Sequence, residues 1–341
     1  MGLFHWLTRR ISSQPIAVQF GSEMIRFMQI HGSSDPTIQG ALEVALHDQD
    51  AIAEALAMFK GKRCVACAPA SDILVQHIRV TSDEGDQEIL ERLAKHDIRW
   101  KNAEVRKVCV KTTGLGSTAK EELLCVGIEQ TISQNIAKKL ELAGAKVVAV
   151  TVPLYASIRA FDKLYRRDGD EKITSMLIDM ETQSLMVMIA HGANCVFAHK
   201  IESVGIEKRE EWKQEPNTEP TLLPIANSEI NEFERRIENE PRGLCGVQEN
   251  EDGIEEQLAE DLERCLRHHN ALFPDRAVDR VIFTGTGAND TNHCAAIALE
   301  LGIEGFIADP SAWITDASEL ASGPSWTTAA GMCLRYLESA A

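Results

Sequence analysis

Three short turns carry the residues best suited to chemistry. Phe20-Gly21-Ser22-Glu23 separates two apolar runs, Ile16 to Phe20 and Met24 to Ile30. Asp179-Met180-Glu181-Thr182 follows the apolar run from Ile173 and precedes another, Ser184 to Ala190. Thr284-Gly285-Thr286-Gly287-Ala288 follows the strand-like Arg280 to Phe283. A hairpin turn of this kind presents backbone N–H groups to phosphate, and a small residue lets the backbone come close. An Asp at the end of a first strand, such as Asp179, orients a magnesium ion and its waters. A late Gly-rich turn lets an adenosine lie against bare backbone. These residues point to a phosphate clamp for ATP, with Gly21, Ser22, Asp179, Thr182, Gly285, Gly287 and Ala288 around the nucleotide and Asp179 as the magnesium contact.

Other candidates carry less. Cys64 and Cys67 make a CxxC, but a second pair at ligand spacing is missing. The run 63–68 reads as a strand, on which residues three apart face opposite sides, a poor metal geometry. His268 and His269 fall within a helix and point about 100° apart, as a solvated or half-buried pair would. Ser12, Ser13 and Ser22 lack His and Asp partners at any hydrolase spacing. Gly114-Leu115-Gly116 is most simply a hairpin loop.

The elements that must position the turns fit a chain of 341 residues, enough for two lobes. No apolar run approaches the roughly 20 residues that cross a bilayer. The apolar start is broken by His5 and Arg9-Arg10, so it does not read as a secretory signal. It reads most simply as a frayed end, with lying on a membrane surface or docking on a partner as the alternative. Nine scattered cysteines suit reduced thiols in a cytosol. A net charge of −17 argues against nucleic acid and against broad adhesion to an anionic membrane. Much of it lies between Ile206 and Arg264, where 18 acidic residues face 7 basic ones, a net of −11. With four prolines in that stretch, it reads as an exposed, partly irregular insert.

Apolar alternation predicts strands at 16–20, 24–30, 38–46, 63–68, 73–80, 105–111, 122–127, 147–152, 173–179, 184–190, 195–200 and 280–283. Helices are expected at 50–59, 84–96, 129–143, 153–165, 254–273, 289–301 and 326–338, with Pro153 in a first turn and Gly144 and Gly302 as stops. A turn is expected at 180–183. Each half thus opens with a three-stranded meander, and this internal repeat is the main organisational fact of the chain.

The order of these pieces resembles the PilM family of type IV pilus assembly proteins, in the FtsA and PilM branch of the actin-like ATPases. PIAVQFGSEMIRFMQI at 15–30 looks like that family's first phosphate hairpin, and SMLIDMETQSLMVMIAHGANCVFAHKI at 175–201 like its second. ELLCVGIEQTISQNIAKKLELAGAKVVAVTVPLYASIRAF at 122–161 looks like its inserted subdomain returning to the first lobe, and LERCLRHHNALFPDRAVDRVIFTGTGAND at 262–290 like its long helix and adenosine turn. Leu301 to Pro310 and 327–335 resemble its tail. The resemblance implies an actin-like α/β fold, a duplicated ribonuclease H-like pair of lobes. It places a leader at 1–14, a first lobe at 15–77, 150–170 and 323–341, an inserted subdomain at 78–149, a second lobe at 171–205 and 257–322, and the divergent acidic insert at 206–256. It also exposes two departures. Gln19 stands where the family pattern has Asp, and Glu181 where it has Gly. Gln cannot supply the charge that holds a magnesium–water cluster. A carboxylate beside triphosphate repels it by about 1 kcal/mol or more at an effective dielectric near 20.

The expected function is therefore a cytoplasmic scaffold at the inner face of the inner membrane, with a degenerate nucleotide site and doubtful ATP and magnesium. Its expected partner is the cytoplasmic tail of a single-span, PilN-like protein, held in a groove built by strands at 74–80, 105–111 and 122–128, with pilus motor or platform proteins beyond it. Basic and apolar tails would suit an acidic platform. An active ATPase or a sugar-kinase-type enzyme is the alternative, and it requires acidic residues that Gln19 and Glu181 do not provide.

Overall fold

The structure, a computed structural model, describes residues 14–32, 36–114, 119–166, 170–182, 184–202, 244–246, 256–314 and 321–338. Residues 1–13 of the leader expected at 1–14, the loop residues 115–118 and nearly all of the acidic insert lie outside the described residues. Two large sheets share one strand order. In the first, β1 (Ile16–Phe20), β2 (Met24–His31) and β3 (Thr37–Ala45) form an antiparallel meander, and β4 (Arg63–Cys67) and β8 (Lys146–Thr151) add in parallel, giving β3-β2-β1-β4-β8. In the second, β9 (Thr174–Glu181), β10 (Ser184–His191) and β11 (Asn194–Glu202) repeat the meander, and β13 (Arg280–Thr284) and β14 (Glu304–Ala308) repeat the parallel pair. The central strands are almost wholly buried apolar runs, as strands covered on both faces must be. This duplicated arrangement is the actin-like fold.

Between the halves of the first sheet's parallel pair lies a small antiparallel sheet. It is made of β5 (Ile73–Thr81), β6 (Ala103–Thr113) and β7 (Lys120–Glu129), in order β5-β7-β6. The amphipathic α2 (Asp86–His96) covers it through Ile89 and Leu93, with Trp100 beneath. A Cβ at Gly127 would sit 2.8 Å from the Trp100 ring, so the indole requires a glycine opposite it. Strand β5 bonds to β7 from Ile73 onward, and β8 bonds to β4 of the first sheet.

Helix ends follow local chemistry. Asp48 caps α1 (Gln49–Met58) by accepting the Ala51 N–H, and Asp290 caps α6 (Thr291–Leu301) by accepting the His293 N–H. The chain leaves α3 (Gln130–Leu142) through Gly144 at φ +88°, and α6 through Gly302 at φ +62°. The helix expected over 153–165 is α-helical only as α4 (Pro153–Ala160) and then widens into a π-type turn, Phe161–Tyr165. The remaining helices are α5 (Glu256–Leu272) and α7 (Thr327–Glu338). Helix α7 crosses α4 so closely that a Cβ at Gly331 would lie 2.0 Å from the Ala156 carbonyl oxygen.

Two further corrections concern the second lobe. Within the region read as an irregular insert, β12 (Leu244–Gly246) pairs with β14 and closes that edge of the sheet. The chain expected to turn from Met180 instead stays in the ladder: Met180 pairs with Leu185 and Glu181 with Ser184, so the turn begins at Thr182.

The small subdomain docks on the second lobe along the outer edge of β11. His77 of β5 stacks on Phe197, ring centroids 5.0 Å apart, and its Nε2 accepts the Ala198 N–H at 3.3 Å. His268 of α5 meets both rings edge-on. Lys111 of β6 donates to the Leu272 carbonyl at the end of α5. Burial pushes the His77 imidazole down to about 4, so it is a neutral acceptor at physiological pH.

Candidate functional site

The three turns singled out in the sequence meet at the mouth between the two large sheets. Gly285 follows β13 at φ +84°, a conformation open to glycine. A Cβ there would lie 2.5 Å from Asp179 Oδ1 and 2.6 Å from the Met180 carbonyl oxygen, so the third turn rests directly on the second hairpin. Gly287 and Ala288 are buried in the short 3-10 turn that follows, with the Ala288 N–H donated to the Gly285 carbonyl. Thr182 is exposed at the hairpin tip, and Ser22 is half-buried at the other. Gly21 donates its own N–H to the Met24 carbonyl at 2.9 Å, which closes the first turn and consumes a donor that a phosphate would need.

The first hairpin reaches the other two turns through side chains. Gln19 and Arg26 face one another across the β1–β2 ladder, and both are buried. Gln19 Nε2 donates to Glu181 Oε1 at 3.4 Å. The Arg26 guanidinium donates to Thr286 Oγ1 at 2.9 Å, pairs with Glu43 of β3 at 2.9 Å and lies 3.9 Å from Glu181. Thr286 in turn donates to Glu181 Oε2 at 3.2 Å. Glu181 is thus the point where all three turns are tied together.

Electrostatics follow from burial. The Glu181 side chain keeps 12% of its exposure. Burial pushes its carboxyl up to about 7, against the pull of Arg26 and with a further push from Asp179. Asp179 is raised as well, chiefly by burial, with the Thr284 and Ser157 hydroxyls and Arg26 opposing that rise. Ser157 of α4 donates to Asp179 Oδ2 at 3.4 Å and hydrogen-bonds Thr328 of α7 at 3.0 Å. Asp179 Oδ1 and Gln19 Oε1 have no hydrogen-bond partner among the described residues.

An orphaned carboxylate oxygen at Asp179 suits a hard cation. The surroundings do not: a nearly buried guanidinium belongs to the same network, the second acidic position is the neutral Gln19, and Glu181 occupies the gap between hairpins.

Sequence reasoning missed Arg26, Glu43, Thr286 and Ser157. Arg26 left a signal, as the lone charge inside the apolar run MIRFMQI. The other candidates resolve as follows. Cys64 and Cys67 are buried in β4, and burial pushes Cys64 up to about 12, far from thiolate chemistry. The histidine pair expected to be solvated or half-buried is split. His268 is exposed, whereas His269 is fully buried with its Nε2 2.9 Å from His191 Nε2. No three His, Cys, Asp or Glu side chains form a metal set among the described residues, and no described helix is long and apolar enough to cross a membrane.

Comparison with solved structures agrees with the strand order. A chain of the PilM–PilN type IV pilus biogenesis complex superposes with a TM-score of 0.66 at 12% identity, over 95% of this chain and 98% of that one. This likeness shows the shared actin-like fold. The ethanolamine utilization protein EutJ of Carboxydothermus hydrogenoformans matches at a TM-score of 0.43 and 10% identity, over 94% of this chain and 89% of its own. The cytoplasmic domain of EpsL, from the type II secretion system of Vibrio cholerae, matches at 0.38 and 14%, over 56% of this chain and 71% of its own. Both superpose too loosely to carry an argument. No protein-family model matches the sequence, and no curated protein does.

Proposed function

We propose that this chain is a scaffold of a type IV pilus or related secretion assembly, working at the cytoplasmic face of the inner membrane without nucleotide as its ligand. The observation that carries the reading is the Gln19–Glu181–Arg26–Thr286 network, which links the three turns where an actin-like protein would hold phosphates. A triphosphate would have to break these contacts and approach a carboxylate. The likeness in fold to a chain of the PilM–PilN complex supports an assembly role over a catalytic one.

The partner in this reading is the basic and apolar tail of a single-span, PilN-like protein. Its groove lies between the first lobe and the subdomain, where Arg106 of β6 sits over the Tyr155 ring of α4 at 5.6 Å. Val108 on the edge strand β6 is an exposed apolar side chain available to such a tail. Two measurements test the proposal. Titration calorimetry with ATP and magnesium should show no micromolar binding, and a tail peptide from a neighbouring membrane protein should co-purify with the full chain. Micromolar ATP affinity, or turnover abolished by Asp179→Ala, would instead favour the enzyme reading.

A further inference from the structure

The small subdomain joins the first lobe through two connections, 68–72 before β5 and the β7–α3 junction at Glu129 and Gln130. Its contacts with the second lobe are therefore the ones that can part while both bodies stay folded. Two hydrogen bonds at that interface come from ammonium donors, Lys111 to the Leu272 carbonyl and Lys200 of β11 to the Ser71 carbonyl at 2.8 Å. His77 differs in kind, because its Nε2 accepts, taking the Ala198 N–H at 3.3 Å. A neutral imidazole that accepts on Nε2 carries its proton on Nδ1, and that atom is buried without a hydrogen-bond partner among the described residues. A second proton has only Nε2 to go to. There it turns the acceptor into a donor and sets N–H against the N–H of Ala198.

The surroundings hold no carboxylate ready for the resulting cation. On the β11 side the ring stacks on Phe197, with His199 beyond it. On the α5 side it meets His268, ring centroids 5.3 Å apart, and one to two turns earlier Asp261 is paired with Arg264 at 3.0 Å. On its own sheet, Arg79 of the same face takes Glu122 at 3.1 Å, and Lys111 of β6 adds a further cation. His269 turns the other way, to His191 of β10. We propose that this docking is a proton-operated latch: neutral His77 holds the subdomain on β11, and protonation of its Nε2 frees the subdomain from the second lobe while both stay folded. Burial, reinforced by His268 and His199, holds the docked ring at about 4 against 6.5 in water. The latch therefore weakens as pH falls below 6.5, and the loss levels off below 4.

The test is native-state hydrogen exchange of the full chain, read as protection factors so that the intrinsic pH dependence of exchange drops out. Between pH 7.5 and pH 5 the Ala198 amide should lose about 30-fold in protection. At pH 5 its exchange should depend on added urea less steeply than that of Leu177 in the middle of β9, the mark of a local opening. His77→Gln offers an amide oxygen to the same N–H and takes up no proton, so its Ala198 protection should change by less than about threefold over that range. The proposal is overturned if wild-type protection at Ala198 holds, or if Ala198 and Leu177 share one urea slope at pH 5. An equal loss in His77→Gln also overturns it, since the sensor would then be the His191–His269 pair. Where the variant does not dock even at pH 7.5, nitrogen NMR of the wild-type ring decides. A His77 ring still neutral at pH 5, with its proton on Nδ1, supports the latch, and a ring already cationic there overturns it.

Discussion

Replacing Glu181 by Gln gives the sharpest reading of the cleft. The Glu181 carboxyl is pushed from 4.5 to about 7 in the folded protein. Its ionised form is therefore favoured by unfolding, and the sign follows. Below pH 4.5 the proton is held in both states and no penalty exists. As pH rises toward 7 the unfolded chain releases it while the folded one does not, and stability is lost. Above pH 7 the loss levels off at about 3 kcal/mol, at 1.36 kcal/mol per pKa unit. About 2 kcal/mol of this falls between pH 5.5 and 8. Gln fills the same space, can hydrogen-bond to the same neighbours and cannot ionise. Urea denaturation of both proteins across that range should show the wild type losing about 2 kcal/mol relative to Glu181→Gln as pH rises. The neutral imidazoles His77 and His191, held down near 4, act with the opposite sign: their stabilisation fades as pH falls below 6.5. They are common to both proteins and cancel in the difference. Parallel stability curves for the two proteins would refute the account, because Glu181 would then ionise as freely in the cleft as in water.

Gly331→Ala should destabilise the protein by about 3 kcal/mol or more, read as a fall in the urea midpoint, because the added methyl meets the Ala156 carbonyl at 2.0 Å with backbone on both sides. An unchanged midpoint would mean that α7 can slide over α4 at little cost. The pair Gln19→Asp with Glu181→Gly should create calorimetrically detectable binding of ATP with magnesium where the parent shows none, since it adds a cation contact and removes the block. If the double variant binds no better, the network is not what closes the site. His77→Ala should cost about 2 kcal/mol, the loss of a stacked ring and of the acceptor for a buried N–H. Faster hydrogen exchange at Ala198 would locate the damage, and unchanged exchange there would place the effect elsewhere.

The duplicated meander was legible because its strands are short apolar runs broken by turns, a signal local to each run. The caps at Gly144 and Gly302 were legible for the same reason, as a left-handed residue marks its own place. What escaped depends on partners far away in the chain. Arg26 sits in a strand that reads simply as buried, and its meaning lies in Thr286, 260 residues on. The continuation of β9 through Glu181 is set by pairing with Ser184, not by the polarity of Glu181 itself. Strand β5 pairs with β7 rather than β4, a choice that period-2 patterning does not encode. Leu244-Cys245-Gly246 is too short to stand out from the acidic stretch around it, yet it suffices to pair with an open sheet edge.

Asp179 is the one residue of the expected site that could be taken as a relic of magnesium binding, and its surroundings supply a different reason for its presence. It lies beneath the crossing of α4 and α7, where the glycine at 331 lets the helices approach and brings Ser157 and Thr328 within 3.0 Å of each other. Two hydroxyls in such a position need acceptors, since an unmatched buried polar group costs about 1–3 kcal/mol. An Asp carboxyl accepts from Ser157, and with its own pKa raised by burial it can keep a proton and avoid a buried charge. Arg26 makes the complementary case on the other side of the cleft. Its guanidinium is nearly buried and must be matched, and Glu43, Thr286 and Glu181 match it across both lobes. An open, nucleotide-cycling cleft would strip that cation of its partners in every cycle. A cleft that stays closed gains rigidity from the same contacts.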